Sequence, residues 1–355
     1  MDFQVRKDDL QETRFLEGER PELEPGQVLL GVDLFGLTTN NITYALMGEA
    51  MNYWDFFPTE DPWARMPVWG FADVVASEAD GVPEGTRVYG YLPPASHLVV
   101  RPDRPSETDF VDATPHRMKL PAAYNRYIRT DGNAVYEEEN EDYEILLWPL
   151  YFTSFLIDDF LDDEGMFGAK LAVLSSASSR TTSALAYLLD KREGIELIGL
   201  TSPRNVEFTE SLGVYDKVVP YEELDSIDRD PAFYVDVAGD AKVRGGVHGH
   251  WGDQLKHDAA VGITHKGDLG GSGELAGPQP TFFFAPTRLQ KRSEDWGPEG
   301  LNERLAEAWR PYVQWVRDWL QVEHGSGPED VERIYRELLD GKSDPAVGHV
   351  LSPQA

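Results

Sequence analysis

The chain has 355 residues, of which 41% are hydrophobic, and carries 63 acidic against 32 basic side chains, so its formal net charge is −31. The length is typical of two domains, and the absence of cysteine excludes disulfides, thiolate nucleophiles, iron–sulfur clusters and zinc sites with thiolate ligands. Such an acidic chain repels nucleic acid and anionic membranes, so we expect neither as a partner. The sequence contains no apolar run that spans a membrane and no signal peptide, which predicts a cytoplasmic protein.

The excess of acidic residues is also typical of proteins from high-salt environments, where salt screens the repulsion between like charges. Unfolding measured across a salt series tests this hypothesis. If it holds, the free energy of unfolding rises with salt.

The first third of the chain is predicted to be mainly β-structure. Its β-rich runs, separated by Pro and Gly turns, are typical of a small, partly open barrel, and they cover residues 26–35, 71–77, 86–91 and 97–101. A polar and aromatic connection, residues 37–48, leads into an aromatic cluster that consists of Tyr53, Trp54, Phe56, Phe57, Trp63 and Trp69. We interpret the cluster as core, and the alternative is an apolar substrate pocket.

The middle of the chain contains the predicted crossing into a second domain. Residues 131–142 are polar and acidic, which indicates an exposed loop. Residues 145–157 then turn apolar, and Pro149 is expected to open a helix.

A strand, a loop of small hydroxylated residues and an Ala- and Leu-rich helix are predicted over residues 170–189. In this geometry a helix N-terminus presents backbone N–H groups to a phosphate. The candidate phosphate-binding residues are Ser176, Ser178, Ser179, Arg180 and Thr181. The loop lacks the Gly-x-Gly-x-x-Gly spacing of a dinucleotide site, so a well-capped helix start is the alternative.

A second strand, residues 195–200, ends where a dinucleotide fold meets the adenine ribose. The residues that follow include Thr201, Ser202 and Arg204. An acidic residue there favours a free 2′-hydroxyl, whereas hydroxyls with an arginine suit a 2′-phosphate. The sequence therefore favours NADP over NAD.

Two further predicted strands, residues 232–239 and 259–265, alternate with helical segments, which indicates parallel βαβ units. Ligands bind such sheets at the carboxyl ends of the strands, so Gly239, Thr264 and His265 are expected on the edge that holds Ser176. Nearby histidines also suggest a metal site, but they lie in a Gly-rich segment, and we favour surface or pocket roles for them: His248, His250 and His257.

The remaining elements are a Gly- and Pro-rich loop, a buried strand, two helices and a closing strand. The loop covers residues 267–280 and the buried strand 281–286. Apolar residues at spacings of three and four predict an amphipathic helix over 299–321, whose tryptophans we interpret as packing residues. A helix over 329–339 and a short strand over 347–351 follow.

Several segments are similar to motifs of one superfamily. Residues 37–48 resemble its Asn-Pro-x-Asp/Glu-Thr-Tyr-x-x-x-Gly stretch at Thr43, Tyr44 and Gly48. Further similar segments are 67–75 and 84–88 (Pro-Gly-x-Glu and Gly-Asp-Arg-Val), 176–182 (Gly-Ala-x-Gly-Gly-Val-Gly), 205–219 and 341–351. The chain thus resembles the zinc-free, quinone-oxidoreductase-like branch of the medium-chain dehydrogenase/reductase superfamily, and more closely the DUF2855 family.

The resemblance implies an α/β fold with three regions. A GroES-like, partly open β-barrel domain over 1–145 holds the substrate, and a Rossmann-type parallel-sheet domain over 146–300 binds NADP(H). Residues 301–355 return to the first domain. Relatives of this fold often pair through the nucleotide domain, which implies a homodimer.

The resemblance also implies an activity. It points to an NADPH-dependent oxidoreductase that passes hydride to a polarised C=C bond or quinone-type acceptor, a small-molecule substrate, without a metal. Tyr44 is the first candidate for the hydrogen-bond donor to the acceptor, Tyr53 the second, and Asn41 a ligand of its carbonyl. We add Thr153 to the cofactor residues and expect His265 at the nicotinamide ribose or in proton transfer.

The loop departs from the family pattern because Ser, Ala, Arg and Thr replace its glycines. Hydroxyls and the Arg180 guanidinium then supply phosphate contacts in place of close backbone approach. Two other functions stay open. One is an NADP(H)-binding regulatory or scaffold protein with little catalysis, and the other is a protein that has lost the nucleotide.

Overall fold

The computed structural model describes residues 1–17, 20–133, 135–261 and 275–354. The chain divides into two units: unit 1 comprises Met1–Leu146 and Leu320–Ala355, and unit 2 comprises Leu147–Trp319. The sequence assigned residues 301–355 to one returning segment. In the structure, residues 301–319 belong to unit 2, and the segment from Leu320 onward belongs to unit 1.

The described chain contains both strands and α-helices. The strands are β1 Asp2–Arg6, β2 Asp9–Leu16, β3 Val28–Leu37, β4 Trp63–Ala64, β5 Val68–Ser77, β6 Arg87–Leu92, β7 His97–Val100, β8 Pro102–Asp103, β9 Asp109–Asp112, β10 Arg126–Arg129, β11 Leu171–Leu174, β12 Glu196–Thr201, β13 Lys217–Pro220, β14 Ala232–Asp236, β15 Leu255–Ala260, β16 Thr281–Phe282, β17 Gln321–Ser326 and β18 Val347–Ser352. The helices are α1 Thr39–Leu46, α2 Glu141–Asp163, α3 Arg180–Leu189, α4 Val206–Ser211, α5 Ala241–Trp251, α6 Ala285–Arg317 and α7 Gly327–Leu339.

In unit 1, β3 is the strand on which the main sheet is built. It pairs antiparallel with β5 along one side, while β7 pairs with its first half and β18 with its last residues. The sheet continues from β5 through β6, β10, β9 and β8, and a smaller sheet has the order β2-β1-β4. The pairing of β18 with β3 confirms the predicted return of the C-terminal segment to the first domain.

Helix α7 covers one side of the unit 1 core because its apolar residues recur at helical spacing. Val331, Ile334, Tyr335 and Leu338 are buried, and the Tyr335 ring meets Phe3 edge-on at 5.3 Å. This helix and the four β-rich runs predicted in the first third of the chain are confirmed.

Unit 2 contains a parallel sheet with the order β13-β12-β11-β14-β15-β16. This is the strand order 3-2-1-4-5-6 of a Rossmann fold, in which the chain reverses direction across the sheet between the first and fourth strands. All four residues of β11 and all five of β14 are buried. This is typical of parallel strands in a sheet that helices cover on both faces. The predicted fold class, a Rossmann-type sheet with a separate β-rich domain, is confirmed.

An aromatic layer in unit 2 joins α2 to α6. The Tyr151 ring lies 5.0 Å from Trp309 and 4.5 Å from Tyr312, and all three side chains are buried. Trp309 therefore packs, as the sequence interpretation had it. None of the described helices combines the length and the apolarity that a membrane span requires.

Two sequence predictions about element boundaries are wrong. Pro149 does not open α2 but lies inside it, eight residues after its start at Glu141. A proline there removes one backbone hydrogen bond, but the acidic first turn favours a helix N-terminus, and Ile145, Leu146 and Leu147 are buried by the helix.

The predicted buried strand over 281–286 is also wrong. Only Thr281 and Phe282 pair with β15, the Phe282 side chain is 46% exposed, and α6 begins at Ala285. Pro286 near the helix start supplies the reason, because proline is favoured in a first helical turn. A break at Gly297, with φ of +73°, separates this early part of α6 from the part that the sequence predicted.

Candidate functional site

In unit 2, the polar loop of residues 175–179 follows β11 at its carboxyl end, beside the point where the strand order reverses. Residues 201–205 follow β12 from the same edge. Ligands of open parallel sheets bind at this edge. The structure therefore brings the two predicted cofactor segments together.

The loop keeps a left-handed turn although it has no glycine. Ser176 has a φ of +52°, a conformation that glycine adopts at much lower cost. Its backbone N–H donates to the Tyr221 hydroxyl at 3.0 Å, and its carbonyl accepts from the Ser179 N–H at 2.7 Å. These contacts hold the turn that a glycine would otherwise allow.

Helix α3 begins directly after this turn with a side-chain cap. The Ser179 hydroxyl accepts from the Thr182 N–H at 3.2 Å, and the Thr182 hydroxyl donates to the Ser175 carbonyl at 2.9 Å. At a helix start the first backbone N–H groups have no partner within the helix. The Ser154 hydroxyl of α2 donates to the Thr181 carbonyl at 2.7 Å and fixes this turn from outside.

Ser178 connects the phosphate loop to the segment after β12. Its hydroxyl accepts from Asn205 Nδ2 at 3.0 Å and from the Thr201 hydroxyl at 3.4 Å. A Cβ built on Gly199 of β12 would lie 3.0 Å from Ala177 Cβ, so the neighbouring strand supplies the glycine that this approach requires.

Two arginines bring positive charge to this edge. Arg204 is exposed, and no hydrogen bond or ion pair of its side chain occurs among the described residues; Ser202, nearby, is half-buried. Arg180 is partly buried, and dehydration lowers its pKa to about 10, with Tyr312 acting in the opposite direction. The Arg180 guanidinium is therefore cationic at neutral pH.

Across the switch point, a buried carboxylate joins β11 to β14 and α5. Asp236 accepts from the Ser175 hydroxyl and the Gly239 N–H, each at 3.0 Å, and from two N–H groups of Arg244 at 2.8 and 2.6 Å. Both charged side chains are almost fully buried. Gly239 is thus held beside the loop, as the sequence predicted for this strand end.

Two predicted cofactor residues lie outside the described part of the chain, Thr264 and His265. Thr153 lies on α2, is half-buried, and donates its hydroxyl to the Pro149 carbonyl at 3.0 Å. It precedes Ser154, the residue that contacts the start of α3.

In unit 1, Tyr44 lies on α1, which begins at a capping box. The Asn41 side-chain oxygen accepts from the Thr38 N–H at 2.8 Å, and its NH₂ group donates to the Pro67 carbonyl at 2.9 Å. Asn41 is buried, and its polar atoms hold the helix in place. Asn41, which the sequence predicted as a ligand of the substrate carbonyl, thus has a structural role in this geometry.

The Tyr44 hydroxyl accepts hydrogen bonds and keeps its own proton. Asn40 Nδ2 donates to it at 2.8 Å and the Trp69 indole N–H at 3.4 Å. Burial raises the pKa of Tyr44 to about 12. A hydroxyl whose oxygen already accepts two hydrogen bonds has its O–H to donate.

Tyr44 belongs to a cluster of aromatic rings that also contains Tyr53, Tyr91 and Tyr124. The Tyr44 ring lies 4.6 Å from Tyr53 and 5.7 Å from Tyr91, and Tyr53 lies 6.2 Å from Tyr124. Burial raises the pKa of Tyr53 as well. Of the six aromatic residues that the sequence flagged, three are buried (Trp54, Phe56 and Phe57) and three are partly buried (Tyr53, Trp63 and Trp69).

The glycine at the end of α1 is required by packing. A Cβ at Gly48 would lie 2.0 Å from the Trp54 ring. Gly48 is one of the residues that carried the family resemblance, and the structure gives the physical reason for it.

The three histidines considered for a metal have separate partners. His248 contacts Asp258 at 2.8 Å and the Ala276 carbonyl at 2.7 Å, His250 contacts the Ile227 carbonyl at 3.0 Å, and the His257 ring stacks on Phe167. The described residues contain no group of three side chains arranged to ligate a metal.

Sequence reasoning missed several residues of the nucleotide-side edge: Ser154, Asn205, Tyr215, Tyr221 and Asp236. Tyr215 donates to the Ala177 carbonyl at 2.8 Å, and Tyr221 supports Ser176 as described above. These contacts join residues far apart in the chain, so no local pattern indicates them. Only Asp236, a carboxylate that ends an apolar strand, carried a visible signal.

Comparisons with known proteins agree with this architecture. A family model described as protein of unknown function (DUF2855) matches residues 35–344. No curated protein matches the sequence. Similar solved structures include CurA from Vibrio vulnificus in complex with NADPH, which is 14% identical, covers 97% of this chain and 94% of its own, and has a TM-score of 0.62.

Two further structures are similar over nearly the whole chain. YhdH from E. coli K-12 with bound NADPH is 16% identical, with 100% of both chains covered and a TM-score of 0.56. A putative NADPH:quinone reductase from Mesorhizobium loti is 14% identical, covers 94% of this chain and 88% of its own, and has a TM-score of 0.57. At these identities the likeness shows the fold alone.

Proposed function

Because the chain belongs to the DUF2855 family and shares its fold with oxidoreductases solved with NADPH, we propose that it is an NADPH-dependent reductase. It passes hydride to a polarised C=C bond or a quinone-type acceptor without a metal. The observation that carries the proposal is the set of hydroxyl and guanidinium groups gathered at the carboxyl ends of β11 and β12, next to the switch point of the parallel sheet.

The residues of this edge fit a dinucleotide with a 2′-phosphate. The start of α3, with Ser178, Ser179, Arg180 and Thr181, offers N–H groups, hydroxyls and a cation to the pyrophosphate. Thr201, Ser202 and the exposed Arg204 stand where the adenosine ribose lies in this fold. The left-handed turn at Ser176 and the close approach of Gly199 to Ala177 support this assignment.

Tyr44 is the residue that we assign to the chemistry. NADPH supplies the hydride when it is bound. Hydride addition to an enone or quinone places negative charge on the carbonyl oxygen, and a fixed O–H donor stabilises that charge. The Tyr44 O–H is oriented by the bonds its oxygen accepts, and its high pKa keeps it protonated at neutral pH. Tyr53, whose ring lies beside it, is the second candidate.

Titration of intrinsic fluorescence with NADPH and with NADH tests the cofactor assignment. We expect Arg204→Ala to weaken NADPH at least about tenfold and to leave NADH unchanged, because only NADPH has the 2′-phosphate. Arg229→Ala, an exposed arginine of the same unit outside this edge, is the matched control. Equal losses of affinity for both nucleotides in Arg204→Ala contradict the 2′-phosphate assignment. If the unmodified protein binds neither nucleotide, the remaining hypothesis is that the chain has lost nucleotide binding.

Stopped-flow oxidation of NADPH against enones, enoyl thioesters and quinones tests the reaction. We expect Tyr44→Phe to slow hydride transfer about a hundredfold or more with NADPH affinity unchanged. Tyr335→Phe is the control, because this hydroxyl donates to the Leu10 carbonyl and its ring packs on Phe3, outside the Tyr44 cluster. An unchanged rate in Tyr44→Phe removes that residue from the chemistry.

The second candidate function is an NADP(H)-binding regulatory or scaffold protein with little catalysis. The replacement of the loop glycines by Ser, Ala, Arg and Thr motivates it, because the loop departs here from the pattern of the reductases that the chain otherwise resembles. NADPH that binds tightly and is oxidised by none of the acceptors supports this function over the reductase. Assembly as a homodimer stays a prediction.

A further inference from the structure

Unit 1 contains a cavity of about 380 Å³ that the proposed reaction does not use. Its lining comes from residues 56–58 with Arg65, from residues 93 and 95–99, from residues 112, 116 and 117, and from residues 1, 2 and 21. Neither Tyr44 nor Tyr53 is among the lining residues. The volume suits a small aromatic molecule.

The walls of the cavity are fixed without a ligand. The His116 ring contacts the Phe56 carbonyl at 3.2 Å, and the Phe3 N–H donates to the Pro94 carbonyl at 3.0 Å. Arg117 is tied by donation to Asn125 at 2.8 Å and to the Tyr124 carbonyl at 2.6 Å. A cavity formed in advance binds with little loss of conformational entropy.

The apolar part of the lining combines aromatic rings with aliphatic side chains. Phe56 and Phe57 contribute rings, and Leu98 and Val99 contribute aliphatic surface. The Arg117 guanidinium lies over both rings, 5.2 and 4.9 Å from their centroids. This combination of rings and a cation suits a planar ligand that carries a negative group.

The charges around the cavity are unusual for a chain of net charge −31. Arg117 is 1% exposed, its Nη1 has no hydrogen-bond partner among the described residues, and a carboxylate oxygen of Asp112 lies 3.7 Å away. Arg65 also lines the cavity, and the positive charge of Arg20 acts on the rim residue His97. The lining is thus richer in positive charge than the rest of the molecule.

The two carboxylates of the lining are already engaged. Both oxygens of Asp2 accept from Arg65, at 2.8 and 2.6 Å. One oxygen of Asp112 accepts from the Arg101 and Thr114 backbones and from the Thr114 hydroxyl. Their repulsion of an anion is therefore reduced.

We propose that this cavity is a second small-molecule site, which takes a ligand with a flat apolar body and one carboxylate group. The rings of Phe56 and Phe57 hold the body, and the carboxylate lies on the side of Arg65. The site is separate from hydride transfer, so its occupancy does not depend on the function proposed above.

Calorimetric titration of the full chain with phenylacetate, and with its neutral analogue phenylacetamide, tests the proposal. We expect saturable binding of phenylacetate in the micromolar to millimolar range and weaker binding of phenylacetamide. Asp2→Asn removes the anion that competes for Arg65, so it tightens phenylacetate binding a few-fold, whereas Arg65→Gln weakens it about tenfold. Neither substitution changes phenylacetamide binding.

Two more variants locate the bound probe. Val99→Trp places a ring in the cavity and abolishes binding of both probes, while its NADPH affinity, measured in parallel, matches that of the unmodified protein if both sites exist. Arg101→Gln, on an exposed arginine outside the lining, leaves phenylacetate binding unchanged. No saturable binding of phenylacetate, equal effects of Asp2→Asn on both probes, or full binding by Val99→Trp each overturn the proposal.

Discussion

The nucleotide-side edge of unit 2 and the Tyr44 cluster of unit 1 are organised by opposite means. In unit 2, loops are held by hydroxyls, an amide and a buried ion pair, each with a named partner. In unit 1, Tyr44 is surrounded by rings that exclude water and raise its pKa. In the function proposed above, the first kind of surroundings binds a charged cofactor and the second stabilises a developing charge. A substitution in one region should therefore impair one of these roles and leave the other intact.

The largest expected effect concerns the buried ion pair of unit 2. Asp236→Ala leaves the Arg244 guanidinium buried without its carboxylate, and we expect a loss of about 3 to 5 kcal/mol in the free energy of unfolding. Chemical denaturation measures it. Asp230→Ala, which removes an exposed partner of Lys170, is the control and loses less than about 1 kcal/mol. Similar losses in both variants contradict the expectation that the Asp236–Arg244 ion pair is a major source of stability in unit 2.

The buried carboxyl of Glu144 in unit 1 is expected to make stability depend on pH. Burial raises the pKa of Glu144 to about 8, and Glu141 adds to the rise. From about pH 4.5 to 8 the unfolded chain loses a proton that the folded one keeps, so stability falls as pH rises, by about 2 to 4 kcal/mol over this range.

Denaturation of Glu144→Gln at several pH values checks this expectation. The neutral amide removes the fall, whereas Glu84→Gln, on an exposed carboxyl of unit 1, keeps it. If the free energy of unfolding of Glu144→Gln still falls as pH rises, another titratable group causes the fall.

Packing of the aromatic side is tested at Gly48. Gly48→Ala forces a methyl group into the Trp54 ring, and we expect a loss of about 1 to 3 kcal/mol, measured by thermal unfolding. Gly249→Ala in α5 is the matched control, because its Cβ meets nothing within 4 Å and alanine favours a helix by about 0.5 to 1 kcal/mol. An unchanged melting temperature in Gly48→Ala shows that Trp54 moves freely.

The smallest effect concerns the strained turn of the phosphate loop. Ser176→Gly relieves a left-handed conformation, and we expect a gain of about 0.5 kcal/mol, since the greater freedom of glycine in the unfolded chain offsets part of the relief. Ser178→Gly is its counterpart and destabilises, because Asn205 and Thr201 lose their acceptor. Denaturation of both variants compares them, and a loss in Ser176→Gly shows that its side chain has a task.

The sequence predicted those parts of the fold that have a local period. Alternating and apolar runs located β5, β11 and β14, and residues at spacings of three and four located α7. Pro149 misled because proline is usual at a helix start, while its place inside α2 depends on tertiary packing. Phe282 misled because an aromatic residue in an edge strand has no neighbour to bury it.

The sequence predicted only those parts of the candidate site that lie in recognisable segments directly after strands. The loop at Ser176 and the arginine after β12 were visible as segments after strands, and the structure brings them to one edge. The partners of the loop were not visible, because Tyr221 and Asp236 reach it through hydrogen bonds between distant segments. The orientation of the Tyr44 hydroxyl likewise depends on Trp69, a residue that the sequence assigned to the core or, as the alternative, to a substrate pocket.

The pairing of β18 with β3 has a consequence for synthesis. Unit 2 is one continuous stretch, so it can fold as soon as it leaves the ribosome, whereas β3 waits at Phe35–Leu37 for a strand made after all of unit 2. At ordinary translation rates this delay is roughly 15 to 60 seconds. During that time an apolar strand edge is open to wrong pairing, so the first unit to be translated is the last to be completed.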